Sequence, residues 1–98
     1  GRTPLMMACH DAREQIMDML LSRGADVKAR DMNGNTALMH LISGSGSRPF
    51  KLRAAEQLLR KKASPSAQAD NGSTPLSLSK KDGFTEMAEL LVKAGAKK

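Results

Sequence analysis

A chain of 98 residues can form one domain with a modest core, but not two ordinary domains. It is 40% hydrophobic with a net charge of +6, which excludes a disordered polyelectrolyte. Its apolar residues are chiefly Leu, Ala and Met, with two Phe and no Trp or Tyr, a composition that favours helices over strands.

Cys9 is the single cysteine, so no internal disulfide forms and a reducing, intracellular setting (cytoplasmic or nuclear) is expected. No apolar run reaches the roughly 18 residues of a membrane helix, so membrane insertion is not expected.

In chain order, Thr3 followed by Pro4 reads as a helix N-cap and first helical residue, with Leu5 and Ala8 on one face. Ile16, Met17, Leu20 and Leu21 form the apolar face of a second helix, which Gly24 ends in a left-handed conformation. Asp31-Met32-Asn33-Gly34 supplies turn chemistry, and Thr36 caps the next helix, whose apolar run continues to Ile42. Residues 43–50, SGSGSRPF, then interrupt that helix before the segment that carries Leu58-Leu59. Asp70-Asn71-Gly72 repeats the turn, Thr74-Pro75 repeats the helix start, and Leu91-Val92 with Gly95 repeats the helix end.

These features are copies of one unit. Gly1-Arg2-Thr3-Pro4-Leu5 returns at 34 as Gly-Asn-Thr-Ala-Leu and at 72 as Gly-Ser-Thr-Pro-Leu, spacings of 33 and 38. Leu20-Leu21, Leu58-Leu59 and Leu91-Val92 recur with them, followed by Gly24-Ala25, Lys62-Ala63 and Gly95-Ala96. The period and both landmarks resemble the ankyrin-repeat family over the whole length. The resemblance implies an all-α solenoid of helix-loop-helix units joined by extended turns. Its repeats would be 1–33, 34–71 with an insertion at about 43–50, and 72–98, in a single domain.

The polar run Ser77-Leu78-Ser79-Lys80-Lys81 resembles a C-terminal capping repeat. The first copy has no such polar side, so the array is expected to be a fragment that continues upstream of Gly1 and stops near Lys98. The family's usual His after Thr-Pro-Leu is replaced by Met6, Met39 and Ser77, so the family's His stitching between turn and helix does not carry over from that position. The second copy has Lys62 for the helix-ending Gly and Pro65 in place of Val27, and should be the loosest. The insertion is expected to be an exposed, mobile loop whose removal shifts melting by only a few degrees. Within it, Phe50 either tucks back to anchor the following helix or is presented to a partner.

No motif carries catalysis. Gly44-Ser45-Gly46-Ser47 lacks the Lys and Ser/Thr of a phosphate loop. Cys9, His10 and Asp11 adjoin, but Cys9 holds a packed Ala position of the family, and neither Cys-x-x-Cys nor His-x-x-x-His spacing occurs. Neither enzymatic activity, nor a cofactor, nor a metal site is expected. The basic clusters are Arg60-Lys61-Lys62, Lys80-Lys81 and Lys97-Lys98. They could bind nucleic acid, although base stacking has only Phe50 and Phe84 to use, and helix-end cations also offset the macrodipole.

The resemblance places recognition on a concave surface of turn tips and first helices. In this sequence those residues are Arg2, His10 and Asp11; Arg30, Met32, Asn33, Asn35 and Met39; and Asp70, Asn71, Ser73, Lys81 and Asp82. Met32 and Met39 would be exposed, adaptable contacts. The function implied is a protein–protein interaction module for a partner protein or peptide, with an acidic segment favoured by the net charge. The alternatives are an oligonucleotide or nucleotide binder using the same groove, and a structural spacer.

Overall fold

The computed structural model describes residues 1–96 of the chain. The basic pair Lys97-Lys98 lies outside the described residues. Six helices follow one another: α1 (Pro4–His10), α2 (Glu14–Ser22), α3 (Ala37–Ser43), α4 (Arg48–Arg60), α5 (Pro75–Lys81) and α6 (Thr85–Lys93). No strand occurs among the described residues, and no helix in them is long and apolar enough to cross a membrane.

Local chemistry starts the inner helices. Thr3 Oγ1 accepts the Met6 N–H at 3.2 Å, and Met6 Sδ accepts the Thr3 N–H at 3.4 Å. Thr74 and Ser77 repeat this reciprocal box at 3.0 and 2.8 Å. Thr36 holds the same backbone place but makes no side-chain cap, and its buried hydroxyl has no partner. All three Thr residues occupy the expected N-cap position, but the second lacks the side-chain bond.

Tertiary packing then orders the helices. Helices α1, α3 and α5 stack successively as an inner layer, each joined by a short loop to its outer partner α2, α4 or α6. Leu5, Leu38 and Leu76 occupy corresponding places inside that layer, all buried. Leu20, Leu58 and Leu91 also correspond. Leu58 and Leu91, in units that follow another pair, are fully buried, whereas Leu20, with no preceding pair among the described residues, is only partly covered. The expected face of α2 is corrected in the same way: Met17 and Leu21 are buried, while Ile16 is 46% exposed. At the other end, Lys80, Ala88 and Val92 stand where Cys9, Met17 and Leu21 stand in the first pair. They line an open groove of about 590 Å³ instead of a buried seam.

The outer helices end alike. The N–H groups of Ala25, Ala63 and Ala96 bond back to Leu20, Leu58 and Leu91 carbonyls at 3.0, 3.0 and 2.9 Å. Each closure needs a left-handed residue just before it, supplied by Gly24 (φ +83), Lys62 (φ +77) and Gly95 (φ +109). Lys62 carries a Cβ into a region that costs an L-residue roughly 1–2 kcal/mol. Lys62→Gly is therefore expected to raise stability by about 0.5–1 kcal/mol, after the greater chain entropy of glycine is subtracted. Chemical denaturation checks this, and a loss of stability would mean that the lysine stem packs usefully.

The insertion is neither long nor loose. Ser47 caps α4 by accepting the Phe50 N–H at 3.3 Å, so Arg48, Pro49 and Phe50 are helical and only Gly44–Ser47 remain as loop. Helix α4 has 13 residues against nine in α2 and α6, having absorbed part of the added length. The Ser45 N–H donates to the His10 carbonyl at 2.8 Å, and Phe50 is buried, which settles its two readings in favour of the anchor. Arg48 lies 4.9 Å from the centre of the Phe84 ring and donates to the Asp82 carbonyl at 3.1 Å. Buried Lys51 donates to the Ile42 carbonyl at 2.8 Å. The segment straps all three helix pairs together. The segment is largely exposed, as expected, but it is anchored to its neighbours by these bonds instead of projecting as a long loop.

Candidate functional site

The segments before α3 and α5 form two stacked turn tips. Asp31 N–H donates to the Asn35 carbonyl at 2.9 Å, and Ala69 N–H to the Ser73 carbonyl at 2.8 Å, closing each tip. The tips join each other through Asp70 N–H to the Asn33 carbonyl at 2.9 Å and Arg30 Nη1 to the Gln68 carbonyl at 2.7 Å. Asp31 braces the first tip from inside. Its Oδ1 accepts the Asn33 and Asn35 N–H groups, both at 2.9 Å, and its Oδ2 lies 2.8 Å from His40 Nε2. A carboxylate only accepts, so Nε2 carries the proton. Both side chains are under a tenth exposed.

His stitching between turn and helix is therefore present, one position later than the family's usual place. Sequence reasoning missed Asp31 and His40. The available signal was an Asp opening the tip nine residues before a His on the same unit.

Burial pushes the Asp31 carboxyl up, but the bonds from Asn35, His40 and Asn33 and the His40 charge outweigh it and hold it below its ordinary 3.8. A carboxyl depressed by folding adds stability above its unfolded value, and that stability is lost as pH falls through the lower folded value. Asp31→Asn is thus expected to cost about 1–3 kcal/mol at neutral pH, the usual penalty for disrupting a buried hydrogen-bond network. The gap between the two proteins should close on acidification below 3.8. Urea midpoints across pH check both points, and a pH-independent gap would refute the ionised role.

The residues picked out on the sequence fall into two groups. Arg2, Arg30, Met32, Asn33, Asn35, Asp70, Asn71 and Ser73 belong to the tips or the equivalent approach to α1. Met32 is 82% exposed. His10, Asp11, Lys81 and Asp82 lie at the far ends of α1 and α5. A seven-residue helix separates the groups by about 10 Å. His10 Nδ1 is 3.1 Å from Asp11 Oδ1, and the His10 ring meets the His40 ring edge-on at 6.1 Å. Met39 is a correction: it is 1% exposed, packed with Ala67 and Ala69 beneath the second tip, because its helical position faces the next unit.

Cys9 is fully buried, and burial pushes its thiol up to about 12, so the thiolate nucleophile is suppressed. Among the described residues, no three His, Cys, Asp or Glu side chains could hold a metal ion.

A family model described as ankyrin repeat matches residues 1–32. The mouse protein "Ankyrin repeat and SOCS box protein 16" is 38% identical over 97 residues, covering 96% of this chain and 21% of that protein. The chain belongs to the ankyrin-repeat family. Among its other relatives, an Arabidopsis thaliana ADP-ribosylation factor GTPase-activating protein, AGD4, is 37% identical over 92 residues, 94% of this chain and 11% of that protein. Mouse "Ankyrin repeat, SAM and basic leucine zipper domain-containing protein 1" is 35% identical over 87 residues, 89% of this chain and 18% of that protein. The chain thus spans only a small part of these relatives. Ankyrin repeats are in general protein–protein interaction modules and are typically non-catalytic, and the helix stack with its projecting tips suits that role.

Proposed function

We propose that this ankyrin chain is a recognition module that binds an acidic peptide segment of a partner protein across its turn tips and inner helices, without catalysis of its own. The observation that carries the reading is Met32, 82% exposed at the apex of a tip whose backbone is fixed by Asp31 and by the neighbouring tip. A large apolar side chain on a rigid support presents contact area at little ordering cost. Arg30 is exposed beside it and gives the tip a cation. Arg60-Lys61-Lys62 lies at the end of an outer helix, away from the inner-helix surface, which favours a peptide over an oligonucleotide in the groove.

The test is selection of peptides from a random display library on the full chain. Acidic sequences with an apolar anchor are expected. Met32→Ala should weaken the selected peptides about tenfold or more, as a loss of at least 1.4 kcal/mol at a hot spot would. Melting should stay unchanged, and Arg23→Ala on the outer side should have no effect. Peptides indifferent to Met32 and Arg30 would overturn the reading. An oligonucleotide bound with a steep salt dependence would replace it.

A further inference from the structure

The basic run at the end of α4 has no task in the groove, and the residues that follow it suggest one. Arg60, Lys61 and Lys62 are exposed, and none is ion-paired among the described residues. Ser64 comes two residues after Lys62, also exposed, in irregular chain. Helix-end lysines offset the macrodipole, but that leaves the serine unexplained. The first unit explains it. Its helix end superposes residue by residue: Gly24 on Lys62, Ala25 on Ala63 and Asp26 on Ser64, with matching backbone bonds. Asp26 Oδ1 accepts the Lys28 N–H at 2.8 Å; Ser64 Oγ accepts the Ser66 N–H at 3.3 Å. The fold therefore builds an anion-accepting turn here, filled by a carboxylate in one unit and by a neutral hydroxyl in the other.

We propose that Ser64 is a phosphate-acceptor site for a protein kinase that reads basic residues two to four positions upstream. Charge patterns of this kind select kinase substrates. Access is also favourable. Ser64 and the three cations are exposed, and Pro65 biases Ser64 towards the extended backbone that an enzyme cleft accepts.

In the reaction the Ser64 hydroxyl gives its proton to the kinase's carboxylate base, and Oγ bonds to the γ-phosphorus of ATP. The bond from that phosphorus to the β,γ-bridging oxygen breaks, and ADP leaves with the electron pair. The product carries about −1.5 to −2 charges at neutral pH, beside three cations and facing the Ser66 N–H. It restores at the second unit the acidic group that Asp26 supplies at the first.

The experiment uses the full chain with ATP and, separately, a kinase selective for upstream Lys/Arg and one selective for Ser-Pro. A synthetic peptide of residues 57–70 serves as a control. Expected are one phosphate on Ser64 by peptide mapping with the first kinase and none in Ser64→Ala. In Lys61→Ala/Lys62→Ala the rate should fall about tenfold or more, as loss of charge steering would give. The Ser66 amide proton of the product should move downfield. Phosphate confined to another residue such as Thr85 overturns the proposal. So does a folded chain that stays unlabelled while the peptide is labelled, or labelling by the Ser-Pro kinase alone. An undiminished rate in the double lysine variant does the same.

Discussion

Leu58→Ala is expected to lower stability by about 2–5 kcal/mol, the usual cost of removing a fully buried leucine and leaving a cavity. Leu58 has no exposure and lies in the middle outer helix, with helix pairs before and after it. Helix α4 packs against both α3 and α6, so the surroundings of Leu58 cannot all move inward to fill the space. At about 4–8 °C per kcal/mol for a domain of this size, melting should fall by about 10 °C or more. Leu20→Ala deletes the same atoms at the corresponding place and should cost less, about 1–2 kcal/mol, because Leu20 is already partly in water. Arg23→Ala, exposed at the end of α2, should stay within roughly ±0.5 kcal/mol. Equal losses at Leu20 and Leu58 in denaturant unfolding would contradict the one-sided cover described for the first pair.

The second large effect is expected in the strap. A Cβ added to Gly44 would stand 2.7 Å from His10 Cα and 2.8 Å from the His10 carbonyl carbon, both backbone atoms that cannot rotate aside. Gly44→Ala should therefore cost about 1–3 kcal/mol through overpacking, although its φ of −82 is open to any residue. Deleting residues 44–48 goes further. It removes the Ser47 cap, worth about 1 kcal/mol, and the stacking of Arg48 on Phe84, worth about 0.5–1. It also displaces the buried anchor Phe50. Melting should drop by about 10 °C or more. A shift of only a few degrees would restore the reading of these residues as a passive loop.

Both effects bear on the recognition proposed for the tips, because the tips are fixed only as well as the stack beneath them. The strap joins the ends of α1 and α5, while the Asn33–Asp70 and Arg30–Gln68 bonds join the tips at the opposite ends. A variant damaged in the strap is expected to lose melting temperature first. Peptide affinity should follow only when the tips themselves loosen, which separates a stability defect from a contact defect at Met32.

Sequence by itself determined the helical class, the unit of about 33 residues and the helix boundaries near Thr3, Thr74, Gly24 and Gly95. Each of these rests on chemistry within one turn: a hydroxyl reaching an amide three residues on, or a glycine taking a positive φ. It also marked Met32 as a tip residue, since turn chemistry is local. What lay beyond it depended on partners distant in sequence. Met39 is buried because Ala67 and Ala69 cover it, and Ile16 is exposed because nothing among the described residues does. Asp31 Oδ2 meets a ring nine residues away, and Ser43–Phe50 became a strap because His10, Asp82 and Phe84 are at its sides. Composition identified glycines and serines that bend freely. Only the stacked backbone, which passes within 2.7 Å of a Cβ added at Gly44, decided where they are anchored.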